Sequence, residues 1–480
     1  MTAAHVRPLR KRARRLTVKE VTVVDRQVLN RAIKAAALGN AMEWFDFGVY
    51  SYIAVTLGRV FYPSGSAASQ LLATLATFAA AFLVRPLGGM FFGPLGDRIG
   101  RQKVLAATMI MMAAGTFCIG LIPDYHTIGI MAPILLLVAR LVQGFSTGGE
   151  YGGAATFIAE YAPDRRRGFM GSWLEFGTLA GYIAGAGIVT ALTSLLSDDA
   201  LLSWGWRVPF LIAGPIGLIG LYIRLRLEET PAFQKQAEAR EDESPTPRNP
   251  LLHMVMNHYR ALLVCVGLVL VFNVTDYMLL SYMPSYLSAN LGYDTAHGLV
   301  LILLVMACMM VINPFMGKLS DRTGRKPMIF VGCAGFVLLS IPCFLLIGQH
   351  SIALVFAGLL IMGLLLTCFT GAMPAALPAL FPTDIRYGGL AIAFNISVSL
   401  FGGTTPLLAA WLVDATHNPL MPAFYLMLAG VIGGLTIFLT PETANRPLMG
   451  EAPTASSHAE AHELTRAYNE DAEARPSEGV

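Results

Sequence analysis

The sequence predicts an all-α membrane protein of twelve transmembrane helices in two pseudo-symmetric six-helix bundles. Three observations carry that prediction. The 480 residues are 55% hydrophobic and only 14% charged, where an ordinary soluble domain carries about 25% charged residues. Apolar stretches of about 20 residues recur, each long enough to cross a hydrocarbon core of ~30 Å at 1.5 Å per residue. The first half also returns in the second. "GPLGDRIGRQK" at 93–103 reappears as "GKLSDRTGRKP" at 317–327, "PDRRRG" at 163–168 as "PTDIRYG" at 382–388, and "EETPAF" as "PETANRP". A parallel six-helix repeat of this kind builds the two halves of a secondary transporter.

A basic segment over 1–32 precedes the first helix. It has no short apolar core and cleavage site, so no removable signal peptide is expected. Apolar spans follow at 33–57, 69–93, 103–122, 129–158, 168–195 and 206–225, which make a first bundle over 33–225. The longest polar interruption, 226–257, opens "RLEETPAFQKQAEAREDESPTPRNP" and reads as a solvated linker. Spans at 259–286, 297–317, 327–347, 351–379, 388–413 and 422–440 form a second bundle over 258–440, and 441–480 is a short tail. Cys118, Cys265, Cys308, Cys333, Cys343 and Cys368 all fall inside apolar spans with no C-x-x-C pair. They read as small buried hydrophobes, with neither a disulfide nor a metal site expected.

Basic residues are one-sided. Ten lie before or at the mouth of the first span: Arg7, Arg10, Lys11, Arg12, Arg14, Arg15, Lys19, Arg26, Arg31 and Lys34. The loops after spans 2, 4, 6, 8 and 10 carry further groups, among them Arg98, Arg101, Lys103, Arg165, Arg166, Arg167, Lys318, Arg322, Arg325 and Arg386. The opposite loops offer only Arg59 and Arg207. By the positive-inside rule both termini are cytoplasmic. Beside a membrane span the basic N-terminal run serves topology and anionic lipid, not nucleic acid.

Leaving span ends aside, seven ionisable side chains fall inside spans: Glu43, Asp46, Arg85, Arg140, Glu150, Glu175 and Asp276. An ionised group at a bilayer centre costs roughly 2.5–3.5 kcal/mol on insertion scales, so such groups face a bundle interior or an aqueous cavity. In "GNAMEWFDFGVY" (39–50), Asn40, Glu43, Asp46 and Tyr50 recur every three to four residues and share one helix face. Span 7 repeats the pattern as Asn273-x-x-Asp276, with Tyr277 and Tyr282 beyond. The two stripes are expected to face each other across a central cavity. Glu43 and Arg85 each lie ten residues, about 15 Å, from the same membrane face, and Glu150 about 12 Å, so the three are expected in one layer. Asp46 sits a turn deeper, and Arg140 reaches inward on its long stem.

The doubled G-x-L-x-D-R-x-G-R loop, with "LGNAMEWFDFGVY", "QGFSTGGEYGGA", "EYAPDRRRGFMGSW", "WGWRVPF" and "LEETPAF", resembles the major facilitator superfamily, in its metabolite:proton symporter branch. Within that branch, residues 20–450 are most similar to the bacterial osmoprotectant symporters that carry proline and glycine betaine. The resemblance implies proton symport of a zwitterionic osmolyte across a bacterial inner membrane, with osmotic activation. The proton is then the coupling ion and no cofactor is needed.

Roles follow from the same resemblance. "RLVQG" is similar to a fourth-helix R-x-x-x-G motif whose Arg pairs with a first-helix carboxylate. That implies Asp46 paired with Arg140 as the proton site, with Glu43 as partner or substrate contact. A zwitterion needs a guanidinium for its carboxylate and aromatic faces or a carboxylate for its ammonium. Arg85 or Arg140 suits the first, and Trp44, Tyr50, Trp173, Tyr277 and Tyr282 the second, with Asn40, Glu150, Glu175, Asn273 and Asp276 beside them. In the repeated loops, Gly93 allows close approach, and Asp97 with Arg101 and Asp321 with Arg325 form locking ion pairs beside Arg98 and Arg322. The family pattern completes them with Glu160 and Arg167.

The tail departs from that pattern. It has no sustained apolar heptads, so no coiled coil is expected, and the oligomeric state stays open. Asp276 stands where the relatives' pattern has an aromatic residue, which leaves the exact substrate open. An organic-anion permease of the same branch, carrying substrates of the 2-oxoglutarate, citrate or shikimate type, remains an alternative, as does a transporter-like membrane sensor. Five buried acids against two buried bases favour zwitterions over dianions. No phosphate-binding G-x-x-x-x-G-K-[ST] loop is present to suggest ATP, and nothing suggests an enzyme.

Overall fold

The computed structural model describes residues 16–99, 101–148, 150–225, 250–349, 351–383 and 385–474. The residues described hold twelve helical spans. Span 1 is Arg26–Tyr52, continued after Ile53 by Ala54–Phe61, and span 2 is Ala67–Ile99. Span 3 is Arg101–Leu121, span 4 joins Met131–Ser146 to Glu150–Tyr161, span 5 is Arg167–Leu195 and span 6 Val208–Leu225. Span 7 runs Pro250–Asp276, passes through a π-helical turn at Tyr277–Tyr282 and ends with Met283–Ala289. Spans 8, 9 and 10 are Thr295–Thr323, Arg325–Ile347 and Ile352–Ala376. Span 11 is Arg386–Ser397, a second π turn at Val398–Gly402 and Thr405–Thr416; span 12 is Met421–Leu439.

Nine of these helices are long and apolar enough to cross a membrane, and Ala106–Leu121 and Gly205–Ile219 are shorter apolar helices. Span 1 is less apolar because it carries the Asn40, Glu43, Asp46 and Tyr50 stripe. It begins at Arg26, earlier than the expected 33, because Asp25 caps it. The Asp25 carboxylate accepts the N–H of Gln27 at 2.7 Å and its carbonyl accepts Leu29 N–H at 3.0 Å. Span 7 likewise begins at Pro250, inside the expected linker, and bends at His258. Residues 226–249 and 1–15 lie outside the described residues.

Packing repeats along with the sequence. In the first half, span 1 packs on 5, span 2 on 4 and span 3 on 6; in the second, span 7 packs on 11, 8 on 10 and 9 on 12. The halves meet through span 5 against 8 and span 2 against 11, again equivalent pairs. Two of these contacts are backbone to backbone. A Cβ on Gly144 would overlap the Ala81 carbonyl, and one on Gly88 that of Phe145, so spans 2 and 4 close only on glycine. Gly177 and Gly181 do the same for span 5 on Ala37 and Ala41 of span 1.

Glu442 ties the end of span 12 to the start of span 9. It accepts the N–H groups of Arg325 (3.1 Å), Lys326 (3.0 Å), Thr443 (2.8 Å) and Ala444 (2.8 Å). A carboxylate at a helix N-terminus meets unpaired donors and the positive end of the dipole. Partial burial pushes its carboxyl up, but the four backbone donors outweigh that and hold it below its ordinary 4.5.

Gly144→Val is expected to cost about 1–3 kcal/mol or more in stability, read as a lower unfolding temperature in detergent. Gly187→Ala, where the nearest atom would be 3.9 Å away, should change nothing or stabilise slightly. Glu442→Gln should cost about 1 kcal/mol at pH 7. Because the folded carboxyl is depressed, its contribution is complete above about 4.5 and is lost as pH falls through the folded value. The gap in unfolding temperature between wild type and Glu442→Gln should therefore close on acidification.

Candidate functional site

The middle of the molecule holds two guanidinium groups. Arg85, Arg140, Glu43 and Asp46 are only 1%, 0%, 0% and 4% exposed, so each must be answered from inside. Arg85 donates to Glu43 in a buried ion pair and to the Thr147 carbonyl at 3.4 Å. Its guanidinium carbon lies 5.4 Å from the Phe82 ring centre and 5.5 Å from that of Phe47. Arg140 lies 4.1 Å over the Tyr50 ring, 5.2 Å from that of Phe78 and 5.3 Å from that of Phe47.

Asp46 and Arg140 are not in direct contact, contrary to the pairing expected from resemblance. Two neutral side chains stand between them. Arg140 donates to the Gln143 carbonyl oxygen, Gln143 donates to Thr116 Oγ1 at 2.7 Å, and Thr116 donates to Asp46 at 2.9 Å. The Thr116 hydroxyl also lies 3.1 Å from the Met112 carbonyl, an alternative acceptor for its one proton. Gln143 and Thr116 are the functional candidates that sequence reasoning missed. Gln143 was legible as the residue one helical turn after Arg140 inside "RLVQG". Thr116 in span 3 carried no signal.

An aromatic nest fills the seam between the halves. Trp44 lies 5.3 Å from Tyr182 and 5.7 Å from Tyr277 of span 7. Tyr277 lies 5.3 Å from Phe82 and 6.4 Å from Phe78. The halves therefore meet at the centre through Trp44 and Tyr277, not through the two Asn-x-x-acid stripes. Asn40 turns toward span 5, donating to Thr178 Oγ1 (2.5 Å) and the Leu174 carbonyl (3.0 Å) and accepting from Trp44 at 3.1 Å. Asn273 donates to its own helix at Val269, 2.9 Å. Both asparagines position the helix instead of facing a cavity.

The remaining expected residues divide. Tyr50 donates to the Thr74 carbonyl at 3.1 Å, and Glu175 accepts from Tyr151 at 2.5 Å, whose ring stacks on Phe394 of span 11 at 4.1 Å. Asp276 is buried within electrostatic range of Glu175. Glu150 is buried one turn beyond Thr147. Tyr282 packs on Tyr286 at 5.8 Å. Trp173 is not in the nest: it is half-buried against Phe169 and Phe176 of its own helix.

On the face that carries the described terminal segments, the halves are locked together. Asp321 accepts the backbone N–H groups of Gly168 (2.7 Å) and Phe169 (2.8 Å) at the start of span 5 and lies 3.7 Å from Arg325. Arg386 of the second half pairs with Glu160 of the first at 2.9 Å. The expected Glu160–Arg167 pair is thus replaced: Arg167 pairs with Asp164 at 2.5 Å, three residues back on its own loop. Arg322 is exposed and lines a cavity with Arg165, Arg166 and Lys318. Gly93, Asp97, Arg98 and Arg101 belong to helices, but their side chains lie outside the described residues. Deeper in, Ser399 donates to the Phe82 carbonyl at 2.6 Å and Asn313 to that of Ser172 at 2.8 Å, both across the seam.

The Major Facilitator Superfamily model matches residues 36–403 and, in a second match, 308–457. A proline/betaine transporter of Escherichia coli (strain K12) is 54% identical over 460 residues, 95% of this chain and 92% of that one. The glycine betaine/proline/ectoine/pipecolic acid transporter OusA of Dickeya dadantii is 53% identical over 469 residues, 97% and 93% of the two chains. Among solved structures, the proton:xylose symporter XylE bound to 6-bromo-6-deoxy-D-glucose shares the fold with a TM-score of 0.69 at 21% identity, over 91% and 99% of the two chains. An inward-open form of the E. coli xylose transporter XylE gives 0.62 at 19% identity, again over 91% and 99%. The chain belongs to the major facilitator superfamily.

Proposed function

We propose that this protein is a proton symporter that imports zwitterionic osmolytes, such as proline, glycine betaine and ectoine-like compounds, by alternating access. The observation that carries this reading is the 54% identity to a proline/betaine transporter along 95% of the chain. The chemistry of the centre suits it. The nest of Trp44, Phe82 and Tyr277 offers aromatic faces to an ammonium, and Arg85 and Arg140 offer guanidinium to a carboxylate. The protein is a transporter, not an enzyme. It sits in a bacterial inner membrane with both termini cytoplasmic, a placement supported by the basic residues gathered on the terminal face. The cavity lined by Arg165, Arg166, Lys318 and Arg322 suits anionic headgroups there.

Asp46 is the better proton carrier of the two span 1 acids. Protonating Glu43 would strand the buried Arg85 guanidinium, a break that typically costs 3–5 kcal/mol. Protonating Asp46 disturbs one hydroxyl contact, and Thr116 can turn to the Met112 carbonyl instead. The Gln143–Thr116 bridge then carries the state of Asp46 to Arg140 without direct contact.

In proteoliposomes with an inward proton gradient, labelled glycine betaine should accumulate, and proline and ectoine should compete. Competition by citrate and 2-oxoglutarate alone would move the assignment to an organic-anion permease. Asp46→Asn should reduce gradient-driven accumulation to the level of empty vesicles while keeping substrate exchange at equal pH; accumulation that survives the change removes Asp46 from the proton path. Thr116→Val and Gln143→Leu should each lower gradient-driven uptake about tenfold, the equivalent of one hydrogen bond to a charged group, with exchange preserved.

A further inference from the structure

The chain does not leave the bundle after span 12. It crosses the terminal face from the second half to the first, gripped on the way. The Arg446 carbonyl accepts from Arg167 at 2.9 Å, and the Met449 carbonyl accepts from Thr383 N–H at 3.1 Å and Arg386 at 2.9 Å. Leu448 is buried against Ala159 of the first half and Ala379 of the second, a small apolar plug in the seam. Glu451 pairs with Arg386. Thr454 donates its N–H to Asp164 at 3.1 Å and its hydroxyl to the same carboxylate at 2.9 Å.

There the tail meets the chain's other end. Thr454–Ala455 (β2) pairs in parallel with Thr22–Val23 (β1), immediately before span 1. A helix over His458–Ala474 follows and sets Ala461 and Leu464 on Val21, Leu16 and Val18. Asn469 exchanges two 2.9 Å hydrogen bonds with the Leu16 backbone, and Glu463 pairs with Arg165 at 2.9 Å. One continuous segment is thus anchored to both halves. Its last grip on the second half, Glu451, and the next on the first half, Thr454, are separated by two residues. A link of that length cannot span more than about 10 Å. The grip on the first half is small: a two-stranded ladder is marginal alone, and its apolar cluster holds three buried residues, Val21, Ala455 and Ala461.

We propose that the N-terminal segment and the C-terminal tail form a releasable strap that holds this face shut, and that β1 and β2 must part from each other each time the face opens. The inference rests on alternating access as proposed above. Val23 and Ala455 are paired in register, so Val23→Cys with Ala455→Cys places a disulfide across the strap. In proteoliposomes, oxidation of that variant should lower glycine betaine uptake at least tenfold, with recovery on reduction; the parent protein with its own six cysteines should be unaffected. Unchanged uptake with the cross-link formed, as counted by mass spectrometry, overturns the proposal. A second experiment needs no transport. Ala379→Cys reports on the plug, and adding Ala461→Asp to undock the strap should speed its labelling by a bulky maleimide at least fivefold. Equal labelling rates overturn the strap, whereas absent uptake in wild type with faster labelling in the undocked variant overturns only the symport reading.

Discussion

Arg85 donates to Glu43 inside a layer that neither water nor lipid can satisfy, and the first half is assembled around that contact. The pair joins span 2 to span 1. It also sets the depth at which spans 2 and 4 must touch, because Arg85 reaches the Thr147 carbonyl at the break in span 4. The glycine contacts at Gly88 and Gly144 make that approach possible by letting backbone meet backbone. Buried charge of this kind contributes little net stability. What it fixes is register, since sliding span 2 by one turn would leave a guanidinium and a carboxylate apart.

Much of this was legible because hydrocarbon imposes simple rules. Span length, one-sided basic loops and the doubled G-x-L-x-D-R-x-G-R motif define twelve helices and two halves. Depth arithmetic at 1.5 Å per residue put Glu43 and Arg85 within reach of each other, and they touch. The rest was not legible for physical reasons. Thr116 is a neutral side chain of a kind that often bonds its own helix, and it lies on a different span, so nothing in the sequence marks it as a bridge between Asp46 and Gln143; Gln143 sits one turn after Arg140, but spacing alone does not say that it reaches Thr116. Asn40 and Asn273 share a pattern in sequence but satisfy different local needs, one across to span 5 and one back on its own turn. Trp173 shows the limit of composition: an aromatic in a span says nothing about which neighbour it meets.

The terminal face was harder still. Each strand there is two residues long, and the partners lie more than 400 residues apart in the chain, a pairing that no local periodicity announces. The tail is short and without sustained heptads, which describes its sequence but not its destination. The ion pairs also shifted partner. Arg167 takes the nearer Asp164, which frees Glu160 for Arg386 on the opposite half. A loop-local pair and a cross-half pair are equivalent in charge count, and only the path of the backbone chooses between them.

Phe47 is shared by the two guanidinium groups, its ring 5.5 Å from Arg85 and 5.3 Å from Arg140. One ring therefore serves both cations. If Arg85 turns toward a carboxylate ligand, the ring's hold on Arg140 changes, and so does the bridge that ends at Asp46. Linkage makes such an effect mutual: whatever factor the ligand imposes on proton binding, the proton imposes on ligand binding. A single phenyl group would then set how much of the proton gradient is converted and how much slips through unused.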